Sequence, residues 1–409
     1  LGVGASMTMV TVLHVLTRDP IPGRSNSLFV PHIDPVPINF KKAAASVEPS
    51  DLFTYPVAMA WLVARKGTHQ AAMAGISMSV SLPHGQIYPF SANGRMTSAD
   101  FFPMFGLAMR SGRAWTSRED DAHARVVVLS DSLSRRLFHD DDAVGKTVSL
   151  GDHDFTVVGV SADWAPKPLF YADPNAKVFG EMDEFFIPLS TGIELNVDAQ
   201  SSFTTWTDDF TANLMKDAKT TWLQFWVQLD TPEQRKAYLA FLHNYSAEQK
   251  SLGRFERSPD TARLYGLMDW LAHENLVPTD VRMQMLLAIA FLIVCITNIT
   301  ALLLTKFMRR SGEVGLRRAL GATRTDIIIQ FGIESVMVGL AGGVVGILAA
   351  QLGLWLVRQR PDDYARLATM DPQMLAATIL LAIISAVLAG LLPAWRISRV
   401  APALQLKVA

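Results

Sequence analysis

Residues 143–147 carry residue types that could bind a phosphate. They read A-V-G-K-T, which resembles the last part of a phosphate-binding loop. Such a loop needs a glycine five residues ahead of Gly145, because its backbone amides must turn inward around the phosphates. Asp140 stands there, followed by two further Asp, and three carboxylates would repel a phosphate. We therefore predict a turn that leads into a strand, and identify no nucleotide site in this chain.

Metal and nucleophile chemistry are equally poorly supported. Residues 139–142 and 152–154 combine His with Asp. A metal site needs ligands that converge in space. In 152–154 the two Asp could share one face of a strand, whereas the His between them could not. No Ser/His/Asp or Cys/His arrangement has a local signature, and Cys295, the single cysteine, lies in an apolar run. We predict solvated turns, no metal site and no catalytic residue.

Polar residues inside apolar segments are more informative. Residues 283–307, 327–357 and 374–395 are long apolar segments, and about 24 residues at 1.5 Å each cross a hydrocarbon core of about 30 Å. Asn298 and Glu334 lie within them. Such intramembrane polar residues usually face protein or water and are functional candidates. Glu334 lies only two turns from one end, so an interfacial position is the alternative.

The third segment also contains closely spaced glycines. Gly339 with Gly343, and Gly342 with Gly346, form two overlapping small-x-x-x-small pairs. In lipid such pairs let two helix backbones approach closely. We predict that all four glycines pack this helix within its bundle.

The charges of the connecting segments predict a topology. Residues 308–326 and the tail 396–409 are basic, whereas the loop 358–373 is balanced. The positive-inside rule places the two basic segments in the cytoplasm and residues 18–280 outside. Residues 1–17 are apolar, and we interpret them as the end of a first transmembrane helix that is truncated here, with a signal peptide as the alternative. The fold class is an α-helical transmembrane bundle of four helices with a large α+β periplasmic domain.

The predicted periplasmic domain mixes strand-like and helix-like segments. Alternating or β-branched runs predict strands, and capping signals predict helices. The strands are predicted at 125–129, 146–150, 155–160 and 222–229, the helices at 52–64, 131–138 and 232–245, and loops at 161–183 and 190–217.

A cationic amphipathic segment follows the second transmembrane helix. We predict one helix over residues 313–331, beginning in the cytoplasmic segment. The sequence alone leaves two interpretations open. One is a helix on the membrane surface that directs its arginines to anionic lipid, and the other is a docking element for a cytoplasmic partner.

Several motifs resemble those of the FtsX-like permease family, which includes the macrolide-exporter (MacB) type. In the membrane part these are E-V-G-L-R-R-A-L-G-A-T-R-T-D-I at 313–327, G-L-A-G-G-V-V-G at 339–346 and P-A-W-R-I-S-R-V-A-P-A at 393–403. R-V-V-V-L-S-D-S-L-S-R-R-L-F at 125–138 is similar to the periplasmic core of the MacB type. The resemblance covers nearly the whole chain.

The resemblance implies the permease subunit of a mechanotransmission ABC transporter in the bacterial inner membrane. Two copies would pair as a dimer, and each would dock an ATPase subunit that binds ATP and Mg²⁺, while this chain itself holds no cofactor. A periplasmic adaptor and an outer-membrane channel are further possible partners, beside membrane lipid, and the net charge of −1 gives no reason to expect nucleic acid. The residues expected to couple to the ATPase are Glu313, Arg317, Arg318, Ala319, Gly321, Ala322, Arg324 and Asp326.

The resemblance leaves alternatives open. The ATPase is either a separate subunit or fused upstream, and the dimer contains either two copies or a related permease. A second function is an FtsX-like regulator or sensor that passes ATPase motion to a periplasmic partner without transport. Residues 166–215 match no family pattern, so the substrate stays unassigned.

Overall fold

The chain divides into two compact units in this computed structural model. The structure describes residues 2–38, 40, 51–83, 87–139, 142–173, 179–207, 213–274, 279–359 and 372–398. One unit joins Leu1–Arg18 to Val277–Ala409, and the other is Asp19–Leu276. The predicted large domain covers residues 18–280, and the second unit covers Asp19–Leu276.

The first unit is helical. Its helices are α1 (Gly2–Thr17), α9 (Thr279–Arg309), α10 (Ser311–Ala319), α11 (Arg324–Arg358) and α12 (Pro372–Ser398). Three of the described helices are long and apolar enough to cross a membrane. The helix α1 has 16 residues and is shorter. Most of the predicted loop 358–373 and of the tail 396–409 lies outside the described residues.

The helix α1 packs against α9 and α11 through small residues. A Cβ added at Gly4 would lie 2.7 Å from the Cβ of Ala349, and one added at Gly353 would lie 2.5 Å from Oγ1 of Thr8. The hydroxyl of Ser6 donates to the carbonyl of Ala288 at 3.0 Å. Since backbones this close leave no room for larger side chains, α1 belongs to the same bundle as the long helices.

The second unit is built on an antiparallel-rich mixed sheet. Its described strands are β1 (Leu28–His32), β2 (Phe53–Thr54), β3 (His69–Ser81), β4 (Phe90–Thr97), β5 (Met109–Gly112), β6 (Val126–Leu129), β7 (Thr147–Leu150), β8 (His153–Ser161), β9 (Phe185–Pro188), β10 (Thr204–Thr205), β11 (Thr220–Gln228) and β12 (Arg263–Gly266). The main strand order is β12-β1-β11-β3-β4-β9-β6-β8-β5. The helices are α2 (Tyr55–Ala64), α3 (Phe101–Phe105), α4 (Ser117–Asp121), α5 (Asp131–Phe138), α6 (Leu189–Glu194), α7 (Pro232–Ser251) and α8 (Leu267–His273).

Both faces of this sheet are covered. Successive residues of a strand point to opposite faces. On β11, Phe225 therefore joins the core that includes Trp61 of α2 and Leu242 of α7, whereas Trp226 joins the core that includes Phe105 of α3. The sheet is thus a central layer between helices, as expected for an α+β domain.

Most of the predicted segments are confirmed. The four predicted strands correspond to β6, β7, β8 and β11, and the helix predicted at 131–138 matches α5. Residues 143–146 form a turn ahead of β7, as predicted. Thr231 begins α7 with a capping box to Gln234.

Two predictions in this unit need correction. Residues 190–217 are not all loop, because α6 and β10 fall there. Leu189 and Ile193 of α6 are buried, but the helix is too short to show a helical period in the sequence. The helix predicted at 52–64 begins only at Tyr55, because Phe53 and Thr54 pair with β11.

The second unit contains a buried ion pair between Arg95 and Asp183. Nε of Arg95 donates to Oδ2 of Asp183 at 2.7 Å, and the two side chains are 5% and 11% exposed. Nη1 of Arg95 also donates to Oε1 of Gln224 at 3.2 Å. The guanidinium lies 4.6 Å from the ring centre of Tyr171. These contacts compensate for the desolvation of both charges.

Candidate functional site

The predicted coupling helix is interrupted by an elbow at residues 320–323. The helix α10 ends at Ala319, and Gly321 has a φ of +107°, a backbone conformation that glycine adopts most readily. The hydroxyl of Thr323 then accepts from the amide of Asp326 at 3.2 Å, and the Asp326 carboxylate accepts from the amide of Thr323 at 2.8 Å. This capping box starts α11.

The prediction of a single helix over 313–331 is therefore wrong. Gly321 ends one helix and Thr323 begins the next, so Arg324 and Asp326 belong to the first turn of α11. The segment predicted to couple to an ATPase consists of α10, the elbow and the beginning of α11. We call residues 311–326 the docking segment.

One face of the docking segment is anchored in the helical unit. Val314 is 5% exposed and packs in a cluster with Phe307 of α9 and with Ile327 and Phe331 of α11. The rings of Phe307 and Phe331 are 4.1 Å apart. A displacement of α10 would therefore act directly on the ends of α9 and α11.

The opposite face is exposed and mixes leucine with charge. Leu316 is 54% exposed and Leu320 is 81% exposed. Nη2 of Arg317 donates to Glu313 at 2.7 Å, and its Nη1 donates to Oε1 of Gln330 at 2.7 Å. These two hydrogen bonds hold the Arg317 guanidinium between α10 and α11.

The other predicted coupling residues lie in the same segment. Gly321 and Arg324 are exposed, and Ala322 is half-buried against the Val314 cluster. Arg318 and Ala319 lie in α10, but their side chains are outside the described residues. The structure thus brings the predicted residues together in one surface segment.

Glu334 lies beside two cations that the sequence analysis did not pair with it. Its carboxylate contacts Nζ of Lys306, and Nη1 of Arg310 is 3.6 Å from its other oxygen. The glutamate is half-buried, whereas Asn298 is exposed on α9. The two predicted intramembrane polar residues therefore do not form one site. The sequence did contain a signal for this contact: Lys306 ends one apolar segment and Glu334 lies near the start of the next.

Three of the four predicted packing glycines contact neighbouring helices. A Cβ at Gly339 would lie 2.8 Å from the Cβ of Ala386 on α12, while Gly343 also faces α12 and Gly346 faces α1. Gly342 is exposed, and a Cβ there would meet no atom within 4 Å among the described residues. The prediction that Gly342 packs within this bundle is corrected, because it lies at the edge of the packed face of α11, where no neighbouring helix among the described residues reaches it.

The second unit contains a cleft of about 760 Å³. Tyr55, Met59 and His69 are among its lining residues, together with Asp120. Asp120 accepts hydrogen bonds from the amide of Ala99 at 2.7 Å and through its other oxygen from the Trp115 indole at 3.1 Å. Burial nevertheless raises the pKa of Asp120 to about 7. The cleft therefore has an acid that changes charge near neutral pH.

Comparison with known families matches two family models to successive parts of the chain. A family model described as MacB-like periplasmic core domain matches residues 1–242, and one described as FtsX-like permease C-terminal matches residues 285–402. The chain belongs to the MacB-like ABC transporter permeases. This MacB-like permease is a membrane-spanning protein with a domain of the periplasmic type. Neither matching model describes a nucleotide-binding domain.

Curated relatives of this MacB-like permease are named macrolide export ATP-binding/permease protein MacB. The Salmonella typhi protein is 25% identical over 339 residues, which are 81% of this chain and 46% of the relative. The protein of Yersinia pestis bv. Antiqua (strain Antiqua) is 28% identical over the same shares of both chains. The chain thus spans less than half the length of the curated relatives it matches.

The structure also resembles the periplasmic region of MacB from Actinobacillus actinomycetemcomitans. The TM-score is 0.40 at 15% identity, and the likeness covers 64% of this chain and 99% of the other. The family assignment rests on the two domain models and not on this likeness.

Proposed function

We propose that this chain is the permease subunit of a mechanotransmission ABC transporter. ATP hydrolysis by an ATPase, separate or fused, drives movements of the periplasmic domain that export a substrate. The observation that carries the proposal is the two-sided docking segment, which anchors Val314 in the helical unit and exposes Leu316, Arg317 and Leu320. In this proposal the chain spans the inner membrane with α1 as a fourth helix and the docking segment in the cytoplasm.

The exposed face has the composition of a protein-binding surface. Burying an exposed leucine side chain gains about 1.5–3 kcal/mol, and Arg is enriched among residues that dominate interface energetics. Leu320 has most of its surface in solvent, so its apolar area is available to a partner. Arg317 is held by Glu313 and Gln330 and needs little further ordering.

The connections of the docking segment support transmission of movement. It is continuous with α11, and Val314 ties it to α9. The helix α11 packs closely on α12 at Gly339 and on α1 at Gly346. Two ATPases that approach each other would therefore displace the helices of each permease as a group. We further propose that a second permease copy completes the transporter, with an adaptor and an outer-membrane channel as additional partners.

The substrate follows only as a class. The relatives' names refer to macrolide export. For this chain we propose export of a substrate taken up by the periplasmic domain, where the cleft beside Asp120 is a candidate contact surface. Macrolide export is stated in the names of those relatives only.

The test uses the full chain with its ATPase in nanodiscs. Leu320→Asp and Arg317→Glu are expected to weaken ATPase binding roughly 10-fold or more each, as for interface residues that cost above about 1.4 kcal/mol. Arg282→Glu is the matched control, because Arg282 is an exposed arginine near the opposite end of α9. Binding and ATP hydrolysis are both measured.

Unchanged binding and hydrolysis in both docking variants would contradict the proposal. The docking segment would then be a helix on the membrane surface. Because Leu320 is 81% exposed, its replacement removes almost no packing within this chain, and a loss of binding would not reflect misfolding.

A further inference from the structure

Four ligand-type side chains meet at one edge of the Asp19–Leu276 unit. They come from the end of β1 (His32), from the residue two positions before β2 (Asp51), and from the end of α8 (His273) with the residue that follows it (Glu274). One ligand atom each from Asp51, His273 and Glu274 lies within 4.8 Å of the others. Oδ1 of Asp51 is 4.0 Å from Nε2 of His273 and 3.3 Å from Nδ1 of His32.

The buried imidazole of His32 points into this cluster. His32 is 2% exposed, and its Nδ1 has no hydrogen-bond partner among the described residues. The Asp51 oxygen that it faces is buried and likewise lacks a hydrogen bond among them. The two atoms are 3.3 Å apart and form an ion pair when the imidazole is protonated. A metal ion bound by the neutral imidazole and the carboxylate would take the place of that proton.

We propose that Asp51, His273, Glu274 and His32 form a binding site for a divalent transition metal of the zinc class. Zinc at about 2.1 Å from four tetrahedral donors sets those donors about 3.4 Å apart. The distances of 3.3 Å and 4.0 Å from Asp51 to the two imidazoles are close to this spacing. The ring centres of His32 and His273 are 6.3 Å apart, so the two imidazoles must move towards each other when the metal binds.

The donor set decides the class of metal. Two imidazole nitrogens and two carboxylates suit zinc and its transition-metal neighbours. Calcium and magnesium prefer oxygen ligands alone. The site therefore selects a borderline-soft ion that accepts both nitrogen and oxygen.

An aromatic side chain orients both histidines. Tyr265 of β12 stacks on His273 with ring centres 4.8 Å apart at 17°, and it meets His32 edge-on at 5.8 Å and 76°. Because β12 pairs with β1, the sheet fixes Tyr265 between the two imidazoles. Oriented ligands lose little freedom when they bind a metal.

The bound ion would clamp the two ends of this unit. His32 lies on its first strand, whereas His273 and Glu274 end the last helix before the chain continues to α9. A metal shared by both would stop β1 and α8 from separating. The ion is structural in this proposal, because all four of its positions are taken by protein donors.

The test measures metal content of the full chain, purified without a polyhistidine tag. The protein is stripped with a chelator in nanodiscs and dialysed against Zn²⁺, and zinc is measured by mass spectrometry. We expect one zinc per chain, a higher unfolding temperature with zinc, and a tetrahedral visible spectrum when Co²⁺ replaces it. His273→Ala and Glu274→Gln each remove a partly exposed donor and are expected to lower zinc affinity by about 100-fold or more.

The matched control is His123→Asn. His123 forms an ion pair with Glu194 at 2.6 Å, and no third ligand accompanies that pair among the described residues. His123 has a φ of 50°, a left-handed backbone conformation that asparagine tolerates. Zinc should bind this variant as it binds the natural protein. The proposal is wrong if the natural protein takes up no stoichiometric zinc, or if both donor variants retain the affinity of the control.

Discussion

The contact between α11 and α12 can be tested with two glycines of the same helix. A Cβ built on Gly339 would lie 2.8 Å from the Cβ of Ala386, 3.2 Å from the Cα of Ile383 and 3.3 Å from the carbonyl oxygen of Ala382. A Cβ on Gly342 would meet nothing within 4 Å among the described residues. Replacing each glycine by alanine therefore adds the same methyl group to a packed and to an open position.

The expected magnitude follows from these distances. Carbon atoms pack at about 3.5–4.0 Å, so α11 and α12 must part by at least about 0.7 Å to admit the methyl group at Gly339. Overpacking of this kind costs about 1–3 kcal/mol. Alanine also gains about 1 kcal/mol of helix propensity over glycine. That gain is common to both positions, so the difference between the two variants isolates the packing cost of about 1–3 kcal/mol.

The assay is reversible unfolding of the full chain by sodium dodecyl sulfate in mixed micelles. Gly339→Ala should unfold at lower detergent fraction than Gly342→Ala, and Gly339→Leu at a lower fraction still. Equal shifts at the two positions would refute the reasoning, because α11 and α12 would then not be in close contact in the folded protein. A larger loss at Gly342 would show that another surface covers that side of α11.

Three further predictions concern charge and capping. Arg95→Ala should lower the free energy of unfolding by about 3–5 kcal/mol, because it leaves Asp183 buried without its cation. Arg113→Ala removes an exposed ion pair and should lower it by at most about 1 kcal/mol in the same denaturation assay. Burial raises the pKa of Asp120 to about 7. The contribution of the protonated carboxyl to stability is therefore complete below the unfolded pKa of about 3.9 and is lost as the pH rises through about 7. Between about pH 5 and about pH 8.5, the unfolding temperature should fall less in Asp120→Asn than in the natural protein. Thr323→Ala removes the side-chain cap of α11 and should lower the free energy of unfolding by about 1 kcal/mol. Unfolding in mixed micelles measures this loss.

Local sequence signals predicted much of the fold. Apolar length identified α9, α11 and α12, and the β-branched run at 126–129 identified β6. The capping residues of α7 placed its beginning correctly. The elbow was missed although its signals, Gly321 and the pair Thr323–Asp326, are local. The amphipathic pattern continues across the elbow, and it outweighed the turn residues in the prediction.

Contacts between distant residues could not be predicted in this way. Arg95 and Asp183 are 88 residues apart, and no periodic pattern connects them. The cluster of Asp51 and His273 depends on the pairing of the first and last strands of the sheet. In the sequence each of these residues resembles an ordinary surface charge. The adjacent His and Asp at 152–154 were more conspicuous, and Asp154 there accepts a hydrogen bond from Ser149.

The length of α11 determines how far the docking segment stands from the bilayer. Its 35 residues extend about 52 Å, whereas the hydrocarbon core is about 30 Å thick. Tilting alone would need an angle of about 55°, beyond the usual limit of about 40°. Residues 335–357 are uncharged and span about 34 Å, which fills the core. Glu334 with Lys306 and Arg310 then lies at the level of the lipid headgroups. The preceding turns of α11 carry the elbow about 15 Å farther out. Under the proposed function, an ATPase would engage it there without displacing lipid.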